Sequence, residues 1–318
     1  MRFAPDFGQR VLLTVDTEEE FDWSRDFSRD GFSLHHVPRI RKFQQFCDTL
    51  GISPVYLVDW PVANSPAAQD IIGSAVADGR AEIGVQLHPW VNPPHDEVID
   101  RKASFAGNLP PQLEREKFRR LRDVIEDKFN ALPRIYRAGR YGIGPATAEM
   151  LAETGVAIDS SVRANFDYSA EGGPDFQRHP LQPYWTDAER RLMELPLTTI
   201  YWGLLRRQGK SLYPLAARFP RLMGLLSHLG LLERIALTPE GTSTQEAIRA
   251  VDIALDDELP ILVMSFHSPS LSPGHTPYVR GEDDLDRFYD WLRSVYGYLG
   301  SRGVRPVTVR EIMDAAIV

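Results

Sequence analysis

Short apolar runs alternate with amphipathic helical patterns along almost the whole chain, and this alternation most constrains the fold. Runs typical of buried strands occupy 11–15, 53–59, 81–88, 133–137, 156–160, 192–201 and 261–267, with a short last one at 304–309. Helical spacing covers 38–50, 64–78, 111–129, 145–154, 243–255 and 282–298. Strands that alternate with helices predict a parallel sheet, here closed into one α/β barrel. A doubly wound open sheet is the alternative, although no GxGxxG follows the first strand.

The chain has no internal repeat and no change of composition that marks a domain boundary, so we expect one domain over 1–318. Irregular insertions are expected at about 162–184 and 202–240. Within the second, the segment 211–232 is rich in Leu, Phe, Met and Tyr. A helix that is apolar around most of its circumference is usually buried, so this segment is expected to cover the barrel or contact a partner subunit in a homo-oligomer.

Composition excludes several classes of protein. The formal net charge of -8 and the absence of long basic runs argue against a nucleic-acid or anionic-membrane partner. A single cysteine, Cys47, excludes an intrachain disulfide and zinc sites with several Cys ligands. The N-terminal residues lack the apolar core of a signal peptide, and no run reaches the roughly 20 residues of a membrane span. A cytoplasmic protein is therefore expected.

Polar residues follow the predicted strands where each strand ends. The first strand ends in Asp16, and Glu18 lies on the same face if the extended geometry continues. Other strand ends carry Asp59, His88, Arg137, Asp159 and His267. Because active sites of parallel barrels collect at the C-terminal strand ends, these side chains are expected to line one pocket. The alternative for the acidic stretch is a solvated loop or the first turn of a helix.

These residue types suggest a hydrolytic site. The carboxylates suit metal binding or proton transfer, and an imidazole from His88 could complete a site for Zn or a similar divalent ion. His267, at the end of the most hydrophobic strand, is a candidate general acid. Arg137 is expected to support a carboxylate, Asp16 or Asp159, rather than to contact the substrate. The alternatives are a structural role for His88 and a solvated or packed role for the others.

Two other residue types stand at the same strand ends. Arg140 lies across Gly139 from Arg137, in a turn that could orient a carboxylate or an oxyanion. Tyr141 and Trp90 offer aromatic faces suited to a sugar or another ring, although a single Trp near a barrel mouth is commonly just packed. Together with Asp59, these three residues are the predicted substrate contacts.

The blocks LLTVDTE, EIGVQLHPW, YRAGRYG, DSSV and SFHSPSL resemble, in order and spacing, those of the polysaccharide deacetylase family, also called the NodB-homology or carbohydrate esterase family 4 group. The likeness spans about 10–270 and is strongest to the WalW-like branch. It implies a distorted (β/α)7 barrel and metal-dependent hydrolysis of an N-acetyl group.

The resemblance also implies residue roles. Matched by motif, Asp16 is the base, Glu18 and His88 are metal ligands, and His267 is the acid. Arg137 matches the arginine that orients the base, and the backbone N–H of Tyr141 matches part of the oxyanion hole.

The family pattern is altered in two places. Thr17 replaces the second aspartate of the usual pair, and Gln86 and Trp90 stand where two histidines are usual, with His88 between them. The third metal ligand is therefore unassigned, with Gln86 and His95 as candidates.

The sequence thus predicts a metal-dependent hydrolase, with Zn or else Co, Ni or Mn, that removes an acetyl group from an N-acetylated sugar or glycan precursor. One alternative is a degenerate carbohydrate-binding or assembly protein on the same barrel. Another is a hydrolase of a small non-sugar amide. The mechanism requires His267 to lie within about 15 Å of Asp16, the reach of a metal and a small substrate.

Overall fold

A computed structural model describes residues 1–21 and 27–317. Its strands are β1 (Arg2–Phe3), β2 (Arg10–Thr17), β3 (Val55–Val58), β4 (Glu82–Leu87), β5 (Ile135–Ala138), β6 (Ile158–Asp159), β7 (Tyr184–Trp185), β8 (Met193–Glu194), β9 (Thr199–Trp202), β10 (Glu233–Ala236), β11 (Ile261–His267), β12 (Arg305–Pro306) and β13 (Ala316–Ile317). Its α-helices are α1 (Ile40–Leu50), α2 (Trp60–Ala63), α3 (Pro66–Ala77), α4 (Pro111–Phe129), α5 (Thr147–Glu153), α6 (Gly209–Ala216), α7 (Pro220–His228), α8 (Thr244–Asp256), α9 (Glu282–Ser301) and α10 (Val309–Ala315).

The main sheet contains seven neighbouring parallel strands in the order β11-β2-β3-β4-β5-β6-β8. β7 extends it as an antiparallel edge, and β12 pairs with the start of β2. The register places His267 directly beside Asp16. Because all seven strands run the same way, their polar C-terminal residues lie at one end of the sheet.

Irregular backbone closes the curled sheet between β8 and β11. The Thr198 amide donates to Val263 O at 3.2 Å, and the Ser265 amide donates to Leu237 O at 3.3 Å. Leu237 in turn donates its amide to Thr198 O at 3.0 Å. The predicted barrel of the distorted (β/α)7 type is therefore confirmed, with one side closed by single hydrogen bonds instead of a ladder.

Strand residues alternate between two cores. Leu13 and Val15 of β2 belong to the core between the sheet and the helices, whereas Leu12 belongs to the core inside the barrel. The inner core also contains Ile135 and Val263, and the C-terminal helix α10 packs against it through Ile312. Side chains alternate with a period of two, so this inward face continues upward to the polar strand ends.

The predicted strand at 192–201 is two strands in the structure. β8 ends at Glu194 and β9 begins at Thr199, where the chain leaves the main sheet to pair with β10. Pro196 lies between them and has no N–H to donate to a ladder, which explains the break. The last predicted strand, 304–309, is reduced to β12 because α10 begins at Val309.

The Leu-rich segment 211–232 does not bury its apolar side chains against the barrel as expected. It forms most of α6 and all of α7, and its Leu215, Phe219 and Leu225 are more than half exposed. The insertion 202–240 is also not irregular, since it contains these two helices and β10. None of the described helices combines the length and the hydropathy needed to cross a bilayer.

Candidate active site

The carboxylate of Asp16 lies at the end of β2 and is held by an arginine. Asp16 is 2% exposed, and Arg137, fully buried, donates an N–H of its guanidinium to Asp16 Oδ1. The other donors of Arg137 bind Ser160, Nε to the carbonyl at 2.8 Å and Nη2 to the hydroxyl at 3.1 Å. The predicted supporting role of Arg137 agrees with these contacts, since three bonds fix its position and Asp16 is its carboxylate partner.

His267 lies opposite Asp16 and is oriented by Glu240. The His267 Nε2 atom is 3.9 Å from Asp16 Oδ2, far inside the 15 Å limit set from the sequence. Its Nδ1 contacts Glu240 Oε2 at 2.7 Å, and its backbone N–H donates to Glu240 Oε1 at 3.2 Å. Burial of the ring opposes protonation, but the carboxylates of Glu240, Glu18 and Asp16 more than offset it and raise the pKa of His267 to about 10. The ring is therefore protonated at neutral pH.

Glu18, His88 and Gln86 form a compact donor set beside this pair. Glu18 Oε2 lies 3.4 Å from His88 Nε2 and accepts a hydrogen bond of 3.0 Å from Gln86 Nε2. A separation of 3.4 Å matches the edge of a tetrahedron about a zinc ion with bonds of roughly 2.1 Å. Among the described residues, the buried Gln86 Oε1 has no hydrogen-bond partner. Glu18 and His88 are therefore spaced to share a divalent ion, with the Gln86 amide beside them.

The other side of the His88 ring is fixed by Glu19. His88 Nδ1 contacts Glu19 Oε2 at 2.9 Å, and Trp90 Nε1 donates to Glu19 Oε1 at 2.7 Å. A carboxylate on one ring nitrogen of histidine is the usual support of a metal-binding histidine, because it sets which nitrogen faces the ion. Gly139 packs on the ring, since a Cβ there would stand 2.4 Å from His88 Cδ2. The glycine of RAGRYG is therefore needed for this close approach.

Asp59 does not line the pocket, contrary to the prediction. It is fully buried behind Glu19, where one oxygen accepts from the Glu19 amide and the other from the Val62 amide, both at 2.8 Å. The second bond caps the N-terminus of α2, a common role for Asp. Burial and the neighbouring Glu19 raise the pKa of Asp59 well above its ordinary value. Asp59 therefore supports the acidic loop and cannot contact the substrate.

The three predicted aromatic and cationic substrate contacts all line the cavity, but their side chains differ in exposure and in what they contact. Tyr141 lines the cavity. Both Tyr141 and the preceding Arg140 have positive φ angles, 60° and 54°. Arg140 pairs with Glu171 and donates to Ser104 Oγ at 2.6 Å, along the rim. Trp90 is only 3% exposed and stacks on His88, so its indole mainly fixes the site.

Asp159 and His95 lie outside the pocket. The Asp159 carboxylate binds the amide and hydroxyl of Ser161, and burial raises its pKa to about 6. His95 is exposed on a loop, where its carbonyl accepts from Arg29 at 3.3 Å. Of the two candidates for a third metal ligand, only Gln86 is therefore near Glu18.

The cavity above these residues has a volume of about 350 Å³. Its wall contains Phe27, Tyr168 and Tyr278 beside Tyr141, as well as Arg163. In residues 1–21 and 27–317, no carboxylate lies within ion-pair distance of Arg163, which donates to Tyr168 Oη at 3.1 Å. The cavity therefore offers aromatic faces and one cation without a carboxylate partner in that part of the chain.

A second group of ligand-type atoms lies beyond the acidic loop. Glu20 Oε2 is 3.2 Å from His275 Nδ1 and 3.5 Å from His35 Nδ1. The other oxygen, Oε1, contacts His36 Nδ1 at 2.8 Å. These residues do not line the cavity. An ion bound there would add to the metal content measured for the Glu18 site.

Sequence reasoning missed Glu240, Glu19 and Arg163. Glu19 belongs to the acidic run after the first strand, but side-chain alternation assigned it to the face opposite Glu18. Arg163 follows the DSSV block directly and is a signal that could have been used. Glu240 lies in an insertion, 25 residues before the SFHSPSL block, and no local pattern marks it.

Comparison with known proteins supports the fold. No family model matches the chain, and no curated protein sequence does. A solved structure from Parabacteroides distasonis, assigned as a glycoside hydrolase/deacetylase, matches with a TM-score of 0.65 at 10% identity, over 96% of this chain and 70% of that one. A 4-alpha-glucanotransferase from Thermococcus litoralis matches with a TM-score of 0.56 at 12% identity, over 97% of this chain and 40% of that one.

A third structure, from Mycobacterium smegmatis and assigned as a polysaccharide deacetylase, has a TM-score of 0.47 at 17% identity, over 96% of this chain and 95% of that one. At these identities the likeness concerns the fold, and the WalW-like branch stays a prediction.

Proposed function

We propose that this protein is a metal-dependent hydrolase that removes the acetyl group from an N-acetylated sugar or glycan precursor. The observation that carries the proposal is the facing pair of Asp16 and His267, 3.9 Å apart and each fixed by an oppositely charged partner. One carboxylate and one imidazolium across a cavity are the base and the acid that amide hydrolysis needs.

Asp16 takes the proton of the attacking water. Its Oδ1 is held by Arg137, while Oδ2 faces His267. The water oxygen then bonds to the amide carbon.

His267 gives its proton to the nitrogen of the departing amine. Glu240 keeps the ring charged and oriented before the reaction, so the C–N bond breaks with a neutral amine as the leaving group. The products are acetate and the free amino sugar.

Glu18 and His88 are the proposed ligands of a divalent ion, with Gln86 Oε1 as the third. A bound ion polarises the amide carbonyl and lowers the pKa of water. Zn is the first candidate for a mixed oxygen and nitrogen set, and Co, Ni or Mn are alternatives.

The cavity wall suits a carbohydrate. Aromatic rings of Tyr141, Tyr168 and Tyr278 supply flat apolar faces with hydroxyl groups, and Arg163 supplies hydrogen-bond donors. The Parabacteroides distasonis protein of the same fold is assigned as a glycoside hydrolase/deacetylase, which is consistent with this class of substrate.

We expect Glu18→Ala and His88→Ala each to weaken binding of the divalent ion by at least about 100-fold. Residues that only support a ligand already change metal affinity about 10–100-fold, and these changes remove a ligand. Metal content per chain, measured by mass spectrometry on protein purified without chelators, checks the expectation. His275→Ala is the matched control, because it removes a histidine from the neighbouring group at Glu20 and should leave the ion in place.

Other results would assign the site differently. Loss of the ion in His275→Ala alone would move it to the group at Glu20. Wild-type protein that binds no Zn, Co, Ni or Mn and releases no acetate from N-acetyl sugars would favour the degenerate carbohydrate-binding protein. Acetate release from small amides but not from sugars would favour a hydrolase of a small non-sugar amide.

A further inference from the structure

The segment 203–232, here called the α6–α7 hairpin, has an unusual charge. It contains five Lys or Arg residues and no Asp or Glu, in a chain whose net charge is -8. The hairpin connects β9 to β10 and contains the two short helices between them. Its positive charge is therefore local and opposite in sign to the rest of the protein.

The hairpin also exposes apolar side chains. Seven of the thirteen exposed large hydrophobic residues of the described chain belong to it, each between 37% and 82% exposed: Leu204, Leu212, Leu215, Phe219, Leu222, Leu225 and Leu229. Scattered single apolar residues on a surface need no explanation, but such a concentration marks an interaction site.

Most of the cations of the hairpin are free to meet a partner. Arg206 pairs with Asp257 at 3.2 Å, and Lys210 donates to the carbonyl of His179. Arg207, Arg218 and Arg221 are exposed and have no carboxylate within ion-pair distance in residues 1–21 and 27–317. Their charge is therefore uncompensated by that part of the protein.

We propose that the α6–α7 hairpin binds the surface of an anionic lipid bilayer. Short helices that combine exposed Leu and Phe with Arg and Lys lie in the bilayer interface, with apolar side chains among the acyl chains and cations at the headgroups. A second copy of this chain would bring two positive surfaces together. Nucleic acid would match the charge but would leave the apolar side chains without a partner.

The location of the hairpin relates it to the cavity. The β9–β10 ribbon has four residue pairs, from Thr199 with Ala236 to Trp202 with Glu233. Thr199 and Ala236 line the cavity, so the hairpin begins about 10–13 Å from it at 3.3 Å per residue. Binding would hold the cavity close to the bilayer. The overall negative charge, which argued against a membrane partner, does not describe this local surface.

Sedimentation with vesicles tests the proposal independently of any catalytic activity. Wild-type protein is expected to bind vesicles of phosphatidylcholine with 30% phosphatidylglycerol at least 10-fold more tightly than pure phosphatidylcholine, and to lose this preference at 0.5 M salt. Attraction between cations and anionic headgroups is screened within about 3 Å at 1 M ionic strength, whereas the range is about 10 Å at 0.1 M. The proposal is overturned if the protein sediments with neither type of vesicle.

Two variants separate the apolar and the charged parts. Phe219→Gln with Leu222→Gln should abolish vesicle binding, while Val98→Gln with Leu132→Gln, at exposed sites elsewhere, should not change it. Glutamine is a good helix former, so loss of binding would not reflect loss of α7.

The second variant reverses the charge of two arginines of the hairpin. Arg218→Glu with Arg221→Glu should weaken binding by about 25-fold or more, because each cation near an anionic surface contributes about fivefold. Arg287→Glu with Arg293→Glu on α9 is the matched control for net charge. Equal effects of the two pairs would contradict a local site. A wild-type dimer that Phe219→Gln converts to monomer, without vesicle binding, would identify the hairpin as a self-association surface instead.

Discussion

Asp16→Asn is expected to lower the rate of acetate release by about 100- to 10,000-fold, the contribution of a general base, while the divalent ion stays bound. Asparagine keeps the shape of the side chain and offers an oxygen to Arg137, but it does not accept the proton of water. Single-turnover acetate release and metal content, measured on the same preparation, check both parts. The two readouts separate the base from a ligand.

Glu114→Gln is the control for removing a buried carboxylate. Glu114 is 1% exposed and binds Thr147 Oγ1, outside the cavity, so its replacement tests general loss of stability. Thermal unfolding of both variants shows whether a loss of rate comes from unfolded protein, since Asp16→Asn leaves the buried Arg137 without its anion. If Asp16→Asn loses the ion, Asp16 is itself a ligand, and Glu18 becomes the next candidate for the base.

Much of the barrel could be predicted, because the apolar runs in the sequence mark both the strands and the ends at which their polar residues lie. The run 261–267 coincides with β11, and its register with β2 brings His267 beside Asp16. Inward residues at the end of one parallel strand necessarily lie near those of the next. The shared location of Asp16, His88 and His267 could therefore be predicted from the sequence.

The same reasoning failed for Asp59, where a backbone N–H group binds the side chain. Asp59 ends a strand like the others, but the N-terminus of α2 begins one residue later and takes the carboxylate as its cap. Glu240 could not be predicted because its pairing with His267 depends on how the insertion closes the barrel. The Leu-rich segment was expected to cover the barrel or to contact a partner subunit, because a sequence shows how apolar a helix is but not what covers it.

Glu240→Gln is expected to shift the alkaline limb of the pH–rate profile toward neutral pH. A group whose pKa is raised in the folded protein is protonated below that pKa and loses its proton as the pH rises through it. With a pKa of about 10, the imidazolium of His267 persists across the neutral range. Burial alone would lower this pKa, and Glu240 is the largest contribution that raises it, so removal of its charge leaves the ring less basic.

The expected loss of rate at each pH follows from the fraction of His267 that is protonated. If its pKa returned to the ordinary value of about 6.5, only about 3% would carry the proton at pH 8, against nearly all in the wild type. The rate should then fall about 30-fold at pH 8 and less than twofold at pH 6. Titration of the His267 ring by NMR checks the cause directly. An unchanged ring titration with a uniform loss of rate at every pH would mean that Glu240 orients the ring without keeping it charged.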